Sequence, residues 1–140
     1  MRTHAQLRPP RAQRTILVVD DDLGIRESLG AVLESAGYRV RLAANGEAAL
    51  GALGSEPGLP DLILLDLMMP VMDGWQFRSR QLQDPRLREI PVVIISAGGN
   101  VQQKAENLSA VGWLRKPLMI PVLLREVEAS LSIQQELSAH

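Results

Sequence analysis

Carboxylates close two of the apolar runs in this chain. ILVVDDD (16–22) sets Asp20, Asp21 and Asp22 directly after four branched apolar residues, and DLILLD (61–66) ends on Asp66. Two other runs end on different chemistry: PVVIIS (91–96) on Ser96 and WLRK (113–116) on Lys116. Adjacent carboxylates repel, and burying one without a partner is costly or forces it to take up a proton. A bound cation would relieve that repulsion. Clustered carboxylates without His or Cys form a hard oxygen site, which suits Mg²⁺ better than zinc or copper. A lysine and a hydroxyl nearby supply a point charge and a hydrogen-bond donor, which is what a phosphoryl group needs. There is no Gly-rich loop of the P-loop type, so tightly held ATP is not the expected source. One of the carboxylates could instead accept the phosphoryl group and become an aspartyl phosphate. Lys116 fits this chemistry: the chain has 13 arginines and only two lysines, and one of those two stands at a strand end before Pro117.

Composition narrows the field. The 140 residues are 46% hydrophobic and 22% charged, with a net charge of -1 and no cysteine. One globular domain with a real core is expected. No broad basic footprint for nucleic acid is present, and disulfides, thiolate metal sites and cysteine nucleophiles are excluded. The two histidines, His4 and His140, stand at the chain ends, which argues against histidine catalysis. No apolar run approaches the ~20 residues that span a bilayer. The opening MRTHAQLRPPRAQR lacks an apolar h-region, so the expectation is a cytoplasmic protein with no membrane partner. Residues 1–14, with four arginines, two prolines and no acid, read as a disordered basic tail.

Positioning these groups requires a particular scaffold. TILVVD (15–20), DLILLD (61–66) and PVVIIS (91–96) show no polar alternation, so each should be covered on both faces, as in a parallel sheet between helices. YRVRLA (38–43) alternates Tyr38, Val40 and Leu42 with Arg39 and Arg41, which fits an edge strand. WLRK suits the opposite edge. Helices are expected after Asp22 (stripe Ile25, Leu29, Val32, Leu33, Ala36, stopped by Gly37), over 46–53, 74–83 and 100–110, and from about 120 to 135. The 100–110 helix has only Val101, Ala105 and Leu108 on its apolar face and should be loosely held. Five strands alternating with five helices argue a three-layer, doubly wound α/β fold, which binds ligands outside the carboxyl ends of its strands.

At these residues the chain resembles the receiver domain of two-component response regulators. The likeness rests on ILVVDDD (16–22), DLILLDLMMPVMDG (61–74), VVIISA (92–97) and LRKPL (114–118), in that order. It covers a receiver domain over 15–137, CheY-like and stand-alone in extent. The resemblance implies a flavodoxin-like five-stranded sheet of order 2-1-3-4-5. It implies that Asp66 is the phosphoacceptor, charged by a sensor histidine kinase or phosphotransfer protein. Asp21, Asp66 and the backbone carbonyl of Met68 would bind Mg²⁺, with Asp20 acting through water. Ser96 and Lys116 would hold the phosphoryl oxygens, and Trp113 takes the place of the switch aromatic. The Lys116–Pro117 bond is expected to be cis. Such a protein is no enzyme in the ordinary sense; it assists its own phosphorylation and dephosphorylation.

Plainer roles are expected for several neighbours. Asp22 and Asp73 read as helix N-caps, and Met68, Met69 and Met72 as loop packing. Gly98 and Gly99 would leave the loop after Ser96 free to move. The chain also departs from the family pattern: Leu118 stands where Phe is frequent. Met68 and Gly98, two residues after Asp66 and Ser96, replace polar side chains that orient water. A long-lived phosphoryl group is expected from that.

Phosphorylation adds roughly two negative charges. Pulling Ser96 inward should move the 97–118 region, so the 100–110 helix, the 112–116 strand and the last helix form the expected output face for a downstream protein partner, with Gln102, Glu106 and Arg115 as contacts. Direct nucleic-acid binding is not expected; a homodimer is an option. Two competing readings remain. A Mg²⁺-dependent phosphohydrolase would use Asp66 as nucleophile, but its usual second Asp is Met68 here and no cap domain is evident. A phosphorylation-independent pseudo-receiver would bind partners without the switch.

Overall fold

The computed structural model describes residues 14–55 and 57–139, with side chains through 132. Ten elements alternate: β1 (Thr15–Val19), α1 (Leu23–Ser35), β2 (Arg39–Ala43), α2 (Gly46–Ser55), β3 (Leu62–Asp66), α3 (Gly74–Gln83), β4 (Val92–Ser96), α4 (Val101–Asn107), β5 (Gly112–Arg115) and α5 (Ile120–Ala139). The strands form one parallel sheet of order β2-β1-β3-β4-β5. This is the expected doubly wound arrangement.

The unalternating strands are explained by two cores. Leu17, Val19, Ile63, Leu65, Val92 and Ile94 face α2, α3 and α4, meeting Ala49, Leu53, Phe77, Val101 and Ala105. Ile16, Val18, Leu62, Leu64, Val93 and Ile95 face α1 and α5, meeting Leu29, Leu33, Leu123, Val127 and Leu131. Each fully buried side chain of this kind contributes about 1.5–3 kcal/mol, so the three central strands hold the sheet edge rigidly.

Helix starts follow their caps. Asp22 Oδ1 accepts from the Ile25 N–H at 3.0 Å. Asp73 and Gln76 form a reciprocal capping box at 2.9 and 3.0 Å. Gly37, at φ 104°, ends α1.

Several details differ from expectation. The fourth helix is shorter than 100–110, because Asn100 and Ser109 adopt left-handed backbone at φ 56° and 55° and bracket it. β5 stops at Arg115, which leaves Lys116 just beyond the strand. Leu42 is 45% exposed, and α1 presents Gly30 to it, with room for a Cβ 3.4 Å from Leu42 Cδ2. Of the three methionines, Met69 is buried in the core and Met72 packs against that core over Gly46, whereas Met68 is 66% exposed. The basic tail lies outside the described residues except Arg14, which is buried and whose carbonyl accepts from the Arg39 N–H at 2.9 Å.

Candidate functional site

Parallel strands in register bring their carboxyl ends to one edge. Val19 pairs with Leu65, Asp66 with Ile95, and Ser96 with Arg115. Asp20 and Asp66 therefore emerge side by side from the neighbouring strands β1 and β3. Lys116 follows β5, its backbone N–H donating to the Ser96 carbonyl at 3.0 Å. The Lys116–Pro117 bond is cis, as expected.

Asp20 is fully buried. Its Oδ1 accepts from the Asp22 N–H at 2.9 Å. Its Oδ2 lies 3.0 Å from Lys116 Nζ as an ion pair. Asp66 is 3% exposed. Its Oδ1 accepts from the Met68 N–H at 3.3 Å, and its Oδ2 from Lys116 at 3.4 Å. Asp21 is exposed at the rim. Carboxylate oxygens of Asp20, Asp21 and Asp66 all lie within 4.8 Å of one another.

The electrostatics follow from this crowding. Burial first, and then the charge of Asp20, raise the Asp66 pKa from 3.8 to about 6, against the opposing pull of Lys116 and the Met68 N–H. Burial on its own lowers the Lys116 pKa, but pairing with Asp20 and Asp66 outweighs it and holds the ammonium above its ordinary value. Three carboxylates thus face one cation. Hard oxygen donors with excess negative charge fit a hard divalent ion such as Mg²⁺.

Ser96 is 1% exposed at the neighbouring strand end, and its Oγ accepts from the Gly98 N–H at 3.2 Å. Trp113 stands apart from the carboxylate cluster. It is half-buried against the α2–α4 core and lines a groove with Asn100, Gln102, Glu106 and Arg115.

Two positioning residues escaped the sequence reading. The Arg26 guanidinium donates to the Asp20 carbonyl at 2.8 Å, steadying the strand end; its spacing one helical turn after Asp22 was the available signal. Gly74 allows α3 to start directly against Asp66 and Leu67, where a Cβ would come within 2.7 Å of backbone atoms.

The sequence matches the response regulator receiver domain over residues 16–128. It is 37% identical over 118 residues to the DNA-binding dual master transcriptional regulator RpaA of Synechocystis sp., covering 83% of this chain and 48% of that protein. It is 38% identical over 118 residues to the response regulator MprA of Mycolicibacterium vanbaalenii, covering 83% and 49%. The chain spans about half the length of these relatives. Among solved structures, the chemotaxis response regulator CheY4 of Vibrio cholerae superposes with a TM-score of 0.76 at 29% identity, over 84% of this chain and 98% of that one. A CheY-like receiver domain protein from Methanospirillum hungatei gives 0.78 at 25% identity, over 88% and 97%. The chain belongs to the response regulator receiver domain family of two-component signalling. No helix among the described residues is long and apolar enough to cross a membrane.

Proposed function

We propose that this receiver is a phosphorylation switch with Asp66 as its acceptor. The observation that carries this is the contact set of Asp66: a buried carboxylate within reach of Asp20, Asp21 and the Lys116 ammonium. An Asp66 carboxylate oxygen bonds to phosphorus as the donor's P–N bond breaks, and the electron pair leaves with the imidazole of a phosphohistidine. Asp21, Asp66 and the Met68 carbonyl would hold Mg²⁺, with Asp20 acting through water. When bound, the ion supplies charge neutralisation for the transferring phosphoryl oxygens. Lys116 orients those oxygens, and Ser96 exchanges its Gly98 contact for one of them. The chain acts as an acceptor that assists its own chemistry rather than as a multiple-turnover enzyme. The exposed Met68 side chain offers no acid for a phosphohydrolase.

The donor is a sensor histidine kinase or phosphotransfer protein. Exposed apolar residues on the loops around the acceptor and at the start of α5 support a protein donor: Met68, Val71, Met119 and Ile120 are 66%, 73%, 62% and 54% exposed. The output face is α4, β5 and α5, which would meet a downstream protein or a second copy. The setting is the cytoplasm.

Incubation with Mg²⁺ and acetyl phosphate, followed by intact-mass measurement, tests this. One added phosphoryl group on the wild type, absent from Asp66→Asn and from an EDTA sample, is expected. Addition that persists in Asp66→Asn would overturn the assignment.

A further inference from the structure

The chain has two lysines, and Lys116 is in the acceptor cluster. The other, Lys104, lies in the last turn of α4 and is half-buried. It has no ion-pair partner among the described residues. Its ammonium rests over Gly98. An ideal Cβ on Gly98 would sit 3.0 Å from Lys104 Nζ and 3.8 Å from Ser96 Oγ. The glycine is not required by its backbone, because the positive-φ glycines among the described residues are Gly37 and Gly58. What it provides is room: the missing side chain lets an unpaired ammonium approach the serine that closes β4.

We propose that Lys104 is a second cationic ligand of the phosphoryl group on Asp66, admitted by Gly98. This rests on the acceptor reading above and extends it. Before modification, three carboxylates face one ammonium. Modification replaces the single charge of Asp66 with a group carrying roughly two negative charges and three acceptor oxygens. Lys116 and Ser96 then leave acceptor capacity unfilled. Ser96 Oγ gives up the Gly98 N–H to turn toward a phosphoryl oxygen. The ammonium held over Gly98 closes in behind it, forming a charge-assisted hydrogen bond to a phosphoryl oxygen. α4 is thereby tied to the acceptor by its own side chain as well as through the loop.

With two lysines, selective ¹³Cε-lysine labelling yields a two-line spectrum, assigned with Lys104→Gln. The probe is beryllium fluoride with Mg²⁺, which mimics an aspartyl phosphate without needing a kinase. Both lysine lines are expected to move in the wild type and neither in Asp66→Asn. Beryllium fluoride affinity should fall by roughly 3- to 10-fold in Lys104→Gln, the range of a partly solvated charge-assisted bond. It should fall similarly in Gly98→Ala, where the charge is kept but its place is filled. Movement of the Lys116 line alone, with unchanged affinity in both variants, would overturn the role of Lys104 and leave the acceptor reading intact. Failure of both lines to move in the wild type would overturn the acceptor reading and this inference with it.

Discussion

Gly74 lies directly under Asp66: an ideal Cβ on the glycine would fall 2.7 Å from the Asp66 carbonyl oxygen and 2.7 Å from Leu67 Cα. The obstacle is backbone, which cannot swing aside. Gly74→Ala should therefore push α3 away from the end of β3 and tilt the Asp66 carboxylate. A loss of about 1–3 kcal/mol is expected from such overpacking, with weaker Mg²⁺ binding. Gly46→Ala is a milder case, since its nearest obstacle at 2.8 Å is Met72 Cγ and the nearest backbone atom, the Met72 carbonyl oxygen, stands off at 3.0 Å; the loss there should be smaller. Urea unfolding of both variants checks the order.

The raised Asp66 pKa makes stability depend on pH. The folded value is about 6 and the unfolded one 3.8, so between them the native state binds more protons. Stability from this group is fully present below pH 3.8 and is lost as pH rises through about 6. Asp66→Asn removes the charge permanently. It should stabilise the protein by about 1–3 kcal/mol at pH 7.5, and the gain should shrink as pH falls toward the unfolded value. Equal gains at pH 7.5 and pH 4.5 would show that the charge is not the cause. Added Mg²⁺ should stabilise the wild type at neutral pH in proportion to its occupancy.

The thin apolar face of α4 has an anchor at one end. Arg78, 4% exposed, donates to the Leu108 and Ser109 carbonyls at 2.9 Å each and to Gln81 Oε1 at 2.8 Å. Gln81 in turn donates to the Leu87 and Ile90 carbonyls at 3.0 Å. Arg78→Met keeps the stem but takes the donor from one buried and two part-buried acceptors, so a loss of about 1–3 kcal/mol is expected. The anchor also divides the switch region. With beryllium fluoride and Mg²⁺, amide exchange should change across 97–118, more strongly at 97–104 than at the pinned 108–110. Exchange unchanged across 97–118 would remove this region from the switch.

Much of this was legible because apolar runs and their terminal residues are local signals. ILVVDDD and DLILLD report burial on both faces and a polar strand end in the same few residues. Asp22 and Asp73 report their caps equally well. Arg78 was not legible: on a helix, an arginine between Phe77 and Ser79 looks like a solvated side chain, and its partners lie some thirty residues away. Gly98 and Lys104 illustrate the same limit, since a glycine that makes room for a distant side chain cannot be told from one that makes a turn. Met68 was misjudged because its neighbours Met69 and Met72 do pack; Met68 points out of the loop that they fill.

The exposure of Met68 gives the phosphoryl lifetime a direct test. At two residues past Asp66 and 66% exposed, its side chain reaches solvent at the acceptor's mouth but carries no group to hold an attacking water. Gly98 carries none either, and its space is taken by the Lys104 ammonium. Water must then attack the aspartyl phosphate without orientation from either position. Met68→Asn adds an amide that accepts from and donates to such a water. Groups that hold an attacking water in line accelerate hydrolysis, and phosphoryl loss should quicken several-fold, while Met68→Leu should match the wild type. The purified phosphorylated forms, followed by intact mass after removal of acetyl phosphate, give the comparison. If Met68→Asn loses its phosphoryl group no faster than Met68→Leu, the slow turnover expected here has another origin than the missing polar side chain.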